Sequence, residues 1–148
     1  MKLSKAIEHF IDSENRSAVL YEKIAEISAK ELETVLLKFR DEELMHAEKL
    51  KEFAKNVLDV DLGVRAELLF MEGSGYGRKK YTEAGLRFTT RKDFFIFALQ
   101  GEKDSILTYT EFKEFLLKDS NELKMVDIFI EEERNHMYHI LKMMHDLK

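Results

Sequence analysis

Two stretches of this chain carry the same interrupted pattern, and few folds can accommodate it. In the first, Glu14 and Tyr21 are followed by Glu43 and His46; in the second, Glu102 and Tyr109 are followed by Glu133 and His136. Both read E-x6-Y…E-x2-H. The step from first to second Glu is 29 residues in one copy (43 − 14) and 31 in the other (133 − 102). Four carboxylates and two imidazoles are a donor set for a pair of hard-to-borderline metal ions, provided the fold brings the six together.

Periodicity says how it would. Read in steps of three and four, the chain gives four apolar seams of helical spacing. The first is Leu3, Ile7, Phe10, Glu14, Ser17, Tyr21, Ile24, Ser28, and the second Leu32, Leu36, Phe39, Glu43, His46, Leu50, Phe53, Val57. The third is Phe95, Ala98, Glu102, Ser105, Tyr109, Phe112, Leu116, and the fourth Val126, Phe129, Glu133, His136, Ile140, Met143, Leu147. Helices are expected at about 2–28, 31–57, 92–118 and 121–147, with a connector over 58–91, in one domain spanning 1–148. The absence of Pro leaves nothing to break helices of this length. Short links near Ser28–Lys30 and Asp119–Asn121 make helices one and two, and three and four, antiparallel hairpins; Asp119 or Ser120 is placed to cap the fourth helix. Inside the glycine-bounded connector, Val64–Met71 is apolar enough for a short helix. The fold class expected is all-α: an antiparallel four-helix bundle of two hairpins with a long crossover between helices two and three.

Each interrupting Glu lies mid-seam, with Phe or Leu on both sides, and in the second and fourth helices a His follows one turn later on the same face. An ionised Glu buried alone there is costly. Four of them need neutralising, and two divalent cations do so: four carboxylates at −4, two neutral imidazoles, two cations at +4. A single Glu-x-x-His reads first as an ordinary surface pair of a helix. Two copies, both in the seam and both paired with an upstream seam Glu, read as a metal centre.

With these motifs in hand, the sequence resembles the ferritin-like superfamily, and within it the rubrerythrin-like diiron-carboxylate proteins, over about residues 3–57 and 94–147. The resemblance implies that Glu14 and Glu102 are terminal carboxylates, one to each metal. It makes Glu43 and Glu133 the bridging pair and has His46 and His136 each complete one metal. Tyr21 and Tyr109 match tyrosines that hydrogen-bond near the site in several members. Glu42 and Glu132 match positions that in some relatives accept a hydrogen bond from a ligand His; the alternative for both is a solvated acid four residues before a His. Relatives are commonly dimers or larger, so a homo-oligomer is implied.

This chain also departs from those relatives. It contains no Cys, which excludes thiolate zinc, disulfides and a built-in rubredoxin-type iron centre, so a separate electron donor such as a rubredoxin-like protein is expected. Ser105 stands where rubrerythrins carry an extra Glu, and Leu44 where bacterioferritin has its haem-ligating Met, so no haem is expected.

Carboxylate-rich sites with one imidazole per metal suit iron, or alternatively manganese, by hardness; zinc is expected only as an occupant in recombinant material. Two such ions about 3.5–4 Å apart can deliver two electrons together. The expected function is therefore an oxidoreductase of the rubrerythrin-like kind, reducing hydrogen peroxide or O₂. The alternatives are a ferroxidase or iron-handling protein, and a bundle in which metal serves structure alone.

Charge argues against nucleic acid as a partner: 24 basic against 29 acidic residues leave −5. No run of ~20 apolar residues exists for a membrane span and Met1–His9 is no signal peptide, so a cytoplasmic protein is expected. One basic stretch, Arg78–Lys80 with Tyr81, Arg87, Arg91 and Lys92, reads as a solvated loop or subunit contact before a docking site for an acidic donor. Phe94, Phe95 and Phe97 are expected in the core or an interface, and His9, His139 and His145 have no assigned role.

Overall fold

Leu, Ile and Phe repeat on one face of each long segment, and that face is what the fold buries. The structure, a computed structural model, describes residues 1–70 and 90–146. It contains α1 (Leu3–Glu26), α2 (Lys30–Asn56), the short α3 (Val64–Glu67) continued by a 3-10 turn (Leu68–Phe70), α4 (Arg91–Phe112) with a 3-10 turn (Lys113–Phe115), and α5 (Asn121–Asp146). The fold is all-α: α1 and α2 form one hairpin, α4 and α5 the other, as the seams predict. The connector glycines 73, 75, 77 and 85, the basic residues Arg78, Lys79, Lys80 and Arg87 with Tyr81, and Met71 and Leu147 all lie outside the described residues. Among the described residues no helix is long and apolar enough to cross a membrane.

Helix ends follow their caps. Ser120 Oγ accepts from the Leu123 amide at 3.1 Å and opens α5, one of the two caps foreseen; Asp119 instead turns the chain with φ 61°. Thr90 caps α4, accepting from the Asp93 amide at 3.2 Å while its hydroxyl donates back to Asp93 at 2.7 Å. The third helix is shorter than expected, its α-geometry ending at Phe112 rather than near 118. Thr108 and Thr110 donate to the carbonyls of Asp104 and Ile106, four residues back. Such bonds compete with the helical ladder, and the chain tightens into the 3-10 turn.

The start of the connector does something the periodicity did not predict. Asp59 accepts from both the amide and the hydroxyl of Ser4, each at 2.9 Å, so it satisfies the start of α1, whose own N-cap offers no side chain. An isolated antiparallel bridge joins Lys2 and Asp61. The chain leaving α2 is thereby tied to the beginning of α1.

The apolar core is split in two. One cluster contains Leu3, Ile7, Phe10, Leu50, Tyr109, Phe112 and Phe129; the other contains Tyr21, Ile24, Leu36, Phe39, Phe95, Ala98 and Ile140. Phe94 and Phe95 both join the second cluster. A buried Leu, Ile or Phe contributes roughly 1.5–3 kcal/mol, and these two clusters offset the cost of the polar layer held between them.

Candidate metal centre

The middle layer holds the six residues expected as ligands. Glu14 comes from α1, Glu43 and His46 from α2, Glu102 from α4, and Glu133 and His136 from α5. None is more than 3% exposed. Potential donor atoms of Glu14, Glu43, His46 and Glu133 lie within 4.8 Å of one another, and so do those of Glu43, Glu102, Glu133 and His136. The two groups share Glu43 and Glu133. Side chains from four helices thus form two groups that could each hold a metal ion, with two carboxylates in common.

The hydrogen bonds from the tyrosines and those to Glu42 and Glu132 cross from one hairpin to the other. Tyr109 donates its hydroxyl hydrogen bond to Glu14 Oε1 at 2.6 Å, and Tyr21 donates to Glu102 Oε1. His46 Nε2 bonds Glu132, and His136 Nε2 bonds Glu42 at 2.5 Å. Glu42 and Glu132 are therefore not merely solvated, and neither pairs with the His one turn along its own helix. Each carboxylate takes the Nε2 proton of the other half's imidazole and leaves Nδ1 facing the centre, an arrangement that orients a ligand His. Nδ1 of His46 lies 3.3 Å from Glu14 and 3.2 Å from Glu133; Nδ1 of His136 lies 2.9 Å from Glu43 and 3.4 Å from Glu102. The seams did not single out the aromatic walls: Phe129 covers the His46 ring at 4.3 Å between centroids, and Phe39 covers His136 at 4.4 Å. Both Phe residues lie seven before the Glu-x-x-His histidine of their own helix, a spacing that could have marked them.

Without metal, protons must balance the buried charge. Burial alone pulls the His46 and His136 pKa values down, but the carboxylates outweigh it. The carboxylates of Glu14, Glu132 and Glu133 raise His46, and those of Glu133, Glu42 and Glu43 push His136 up to about 12. Burial raises Glu43 well above the usual carboxylate range, helped by the neighbouring charges of Glu133 and Glu14. Burial acts the same way on Glu133, yet the two imidazoles overcome it and hold that group down at about 2. The upward shifts of His46, His136 and Glu43 all favour protons in this layer, which offset part of the charge that two cations would offset.

The donor set fits metal ions better than it fits itself. Glu43 Oε1, Glu102 Oε2, both Glu133 oxygens and His136 Nδ1 are buried without a hydrogen bond. Glu43 Oε1 and His136 Nδ1 stand only 2.9 Å apart, yet are not aligned to bond. A buried orphaned polar atom costs about 1–3 kcal/mol. Several of them, converging on common points from four helices, are what coordination would satisfy. The buried Glu/His cluster fits a dinuclear metal protein.

Outside the cluster, Glu42 and Glu132 line an open depression with Asp127, Glu131, Asn135 and Ile128. The remaining histidines stay apart: His9 stacks on Phe70 at 4.9 Å, and His139 is bonded to the Asn135 carbonyl.

No family model and no curated protein matches the sequence. The chain is similar to a solved structure from Thermotoga maritima, provisionally described as a ferritin-like diiron-carboxylate protein. The match has a TM-score of 0.81 and 27% identity, covering 100% of this chain and 97% of that one. With the hairpin arrangement and the doubled Glu/His layer already established, that whole-length match identifies this chain as a ferritin-like protein.

Proposed function

We propose that this protein binds two redox-active metal ions, iron in preference to manganese, and reduces hydrogen peroxide or O₂ with electrons from a separate donor. The observation that carries the reading is the pair of Glu/His groups sharing Glu43 and Glu133. Glu14 and Glu102 would each serve one metal, Glu43 and Glu133 both, and His46 and His136 one each through Nδ1. A bound pair of such ions supplies two electrons at once and Lewis acidity toward a peroxide oxygen.

What the chain itself contributes is positioning and exclusion of water. Glu42 and Glu132 fix which ring nitrogen of each His faces inward, and Tyr109 and Tyr21 orient the terminal carboxylates. Phe39 and Phe129 close off the imidazoles. Reduction of each peroxide consumes two electrons and two protons and yields two waters, so a donor must return the electrons. A small soluble redox protein is the class proposed, and the working unit is proposed to be a homo-oligomer in the cytoplasm.

The acidic depression beside Glu42 and Glu132 supports a second reading, a ferroxidase in which iron is the substrate, since clustered carboxylates concentrate divalent cations. Turnover separates the two. With the iron-loaded protein, excess reductant and a catalytic redox mediator, the proposal expects many equivalents of peroxide consumed per chain. Oxidation that stops with ferric iron accumulating favours the ferroxidase, and metal bound without either reaction leaves a structural role.

A further inference from the structure

Ser17 and Ser105 occupy matching places in the two halves, three residues after Glu14 and Glu102, and both are buried at 6% exposure. Buried hydroxyls normally find a partner, often the carbonyl one turn back, as Thr108 and Ser28 do here. Among the described residues, the hydroxyls of Ser17 and Ser105 make no such bond, and they do not bond each other.

Their position follows from the crossed tyrosine bonds. Tyr21 reaches Glu102 while Tyr109 reaches Glu14, which requires α1 and α4 to run antiparallel with Glu14 level with Tyr109 and Glu102 level with Tyr21. Seven residues of helix span about 10.5 Å and three span about 4.5 Å. Ser17 therefore stands about 4.5 Å from the level of Glu14 toward that of Glu102, and Ser105 the same distance from Glu102 toward Glu14. The two serines meet within about 1.5 Å of one height, midway between the terminal carboxylates. They lie on the α1–α4 side, whereas both imidazoles come from α2 and α5.

We propose that Ser17 and Ser105 are positioning residues whose hydroxyls donate hydrogen bonds to a small anion bound between the two metal positions, on the side opposite His46 and His136. This rests on the dinuclear reading above. Two hydroxyls fit a ligand with lone pairs to spare, of the size of azide or hydroperoxide, better than a further carboxylate side chain, which would add negative charge at the same place. The unpartnered Glu102 Oε2 and Glu43 Oε1 belong to the same layer, so an incoming anion needs donors from the chain as well as cations beneath it.

The test uses the diferric protein and azide as the probe, comparing wild type, Ser17→Ala, Ser105→Ala and the double variant. Metal content per chain and thermal unfolding are measured alongside. The expected result is two metals in every variant and azide affinity, read from the ferric–azide visible band, weakened by about tenfold for each hydroxyl removed. Ser→Thr, which keeps the hydroxyl, should restore it. Azide affinity unchanged in a fully loaded double variant overturns the serine assignment while leaving the metal centre intact. A wild-type chain that takes up no iron overturns the metal centre and the serine assignment together.

Discussion

The Glu14–His46 end of the polar layer and the Glu102–His136 end carry the same donors but not the same surroundings. Facing Tyr109 is Phe10, stacked at 4.4 Å and completed by Phe112 and Phe70. At the position matching Phe10, four residues before Glu102, the chain has Ala98, in the same cluster as Tyr21 and Phe95. Glu14 has both oxygens near a partner, Tyr109 and His46, whereas Glu102 Oε2 has none. Groups that would touch metal, or fix a group that does, are matched across the two halves; groups that only fill volume are not. Pseudo-twofold symmetry therefore tracks the chemistry of the layer, and packing on either side is solved independently.

The largest test of that division removes a shared carboxylate. Glu43→Ala and Glu133→Ala should each abolish dinuclear binding, leaving at most one tight metal per chain by elemental analysis. Retention of two would mean that the carboxylates are not shared. Next in size, Phe10→Ala should lower the stability of the metal-free protein by about 3–5 kcal/mol in denaturant unfolding. Two metals should still bind if Phe10 is packing alone. Loss of one metal along with the stability would show that the asymmetric wall belongs to the site.

Smaller, and sharper as a comparison, are Glu42→Gln and Glu132→Gln. Each should weaken metal binding by about 10–100-fold, and the two by similar amounts, because each holds the other half's His. A strong effect from one and none from the other would break the symmetry in competition titrations.

The mildest effect concerns pH. His136, raised from 6.5 to about 12, stabilises the metal-free fold fully below pH 6.5 and less as pH climbs toward 12. Glu133, lowered from 4.5 to about 2, stabilises it above pH 4.5 and fails as pH falls through 2. Glu43, raised, helps only below pH 4.5 and progressively less above. The metal-free protein should thus be firmest between these limits and weaken as pH rises past 6.5. Metal displaces the protons on His46, His136 and Glu43 and binds more tightly as pH rises. The Tm gap between loaded and metal-free protein should widen between about pH 5.5 and pH 8; a constant gap would mean that neither imidazole carries a proton before metal binds.

That these six residues share one buried layer could be read from sequence because ionisable residues in an apolar seam violate burial so strongly that few explanations survive. Their supports were harder. Glu42 lies one turn from His46 on the same helix, so spacing suggests a local partner, and only the antiparallel crossing of α2 and α5 reveals that it holds His136. Ser17 and Ser105 read as ordinary small seam residues until the crossed tyrosine bonds set their height. The end of α4 depends on two threonine hydroxyls competing with the ladder, a choice that apolar periodicity does not register. Asp59 caps a helix more than fifty residues away, and no local rule anticipates such a contact.

The most direct test of a shared two-metal centre is an anaerobic Fe(II) titration of the metal-free protein at neutral pH, counting tight sites per chain. Two sites, filling to saturation, are what the paired Glu/His groups predict. One site or none would contradict a centre built on Glu43 and Glu133 and leave the buried acids to be balanced by protons alone.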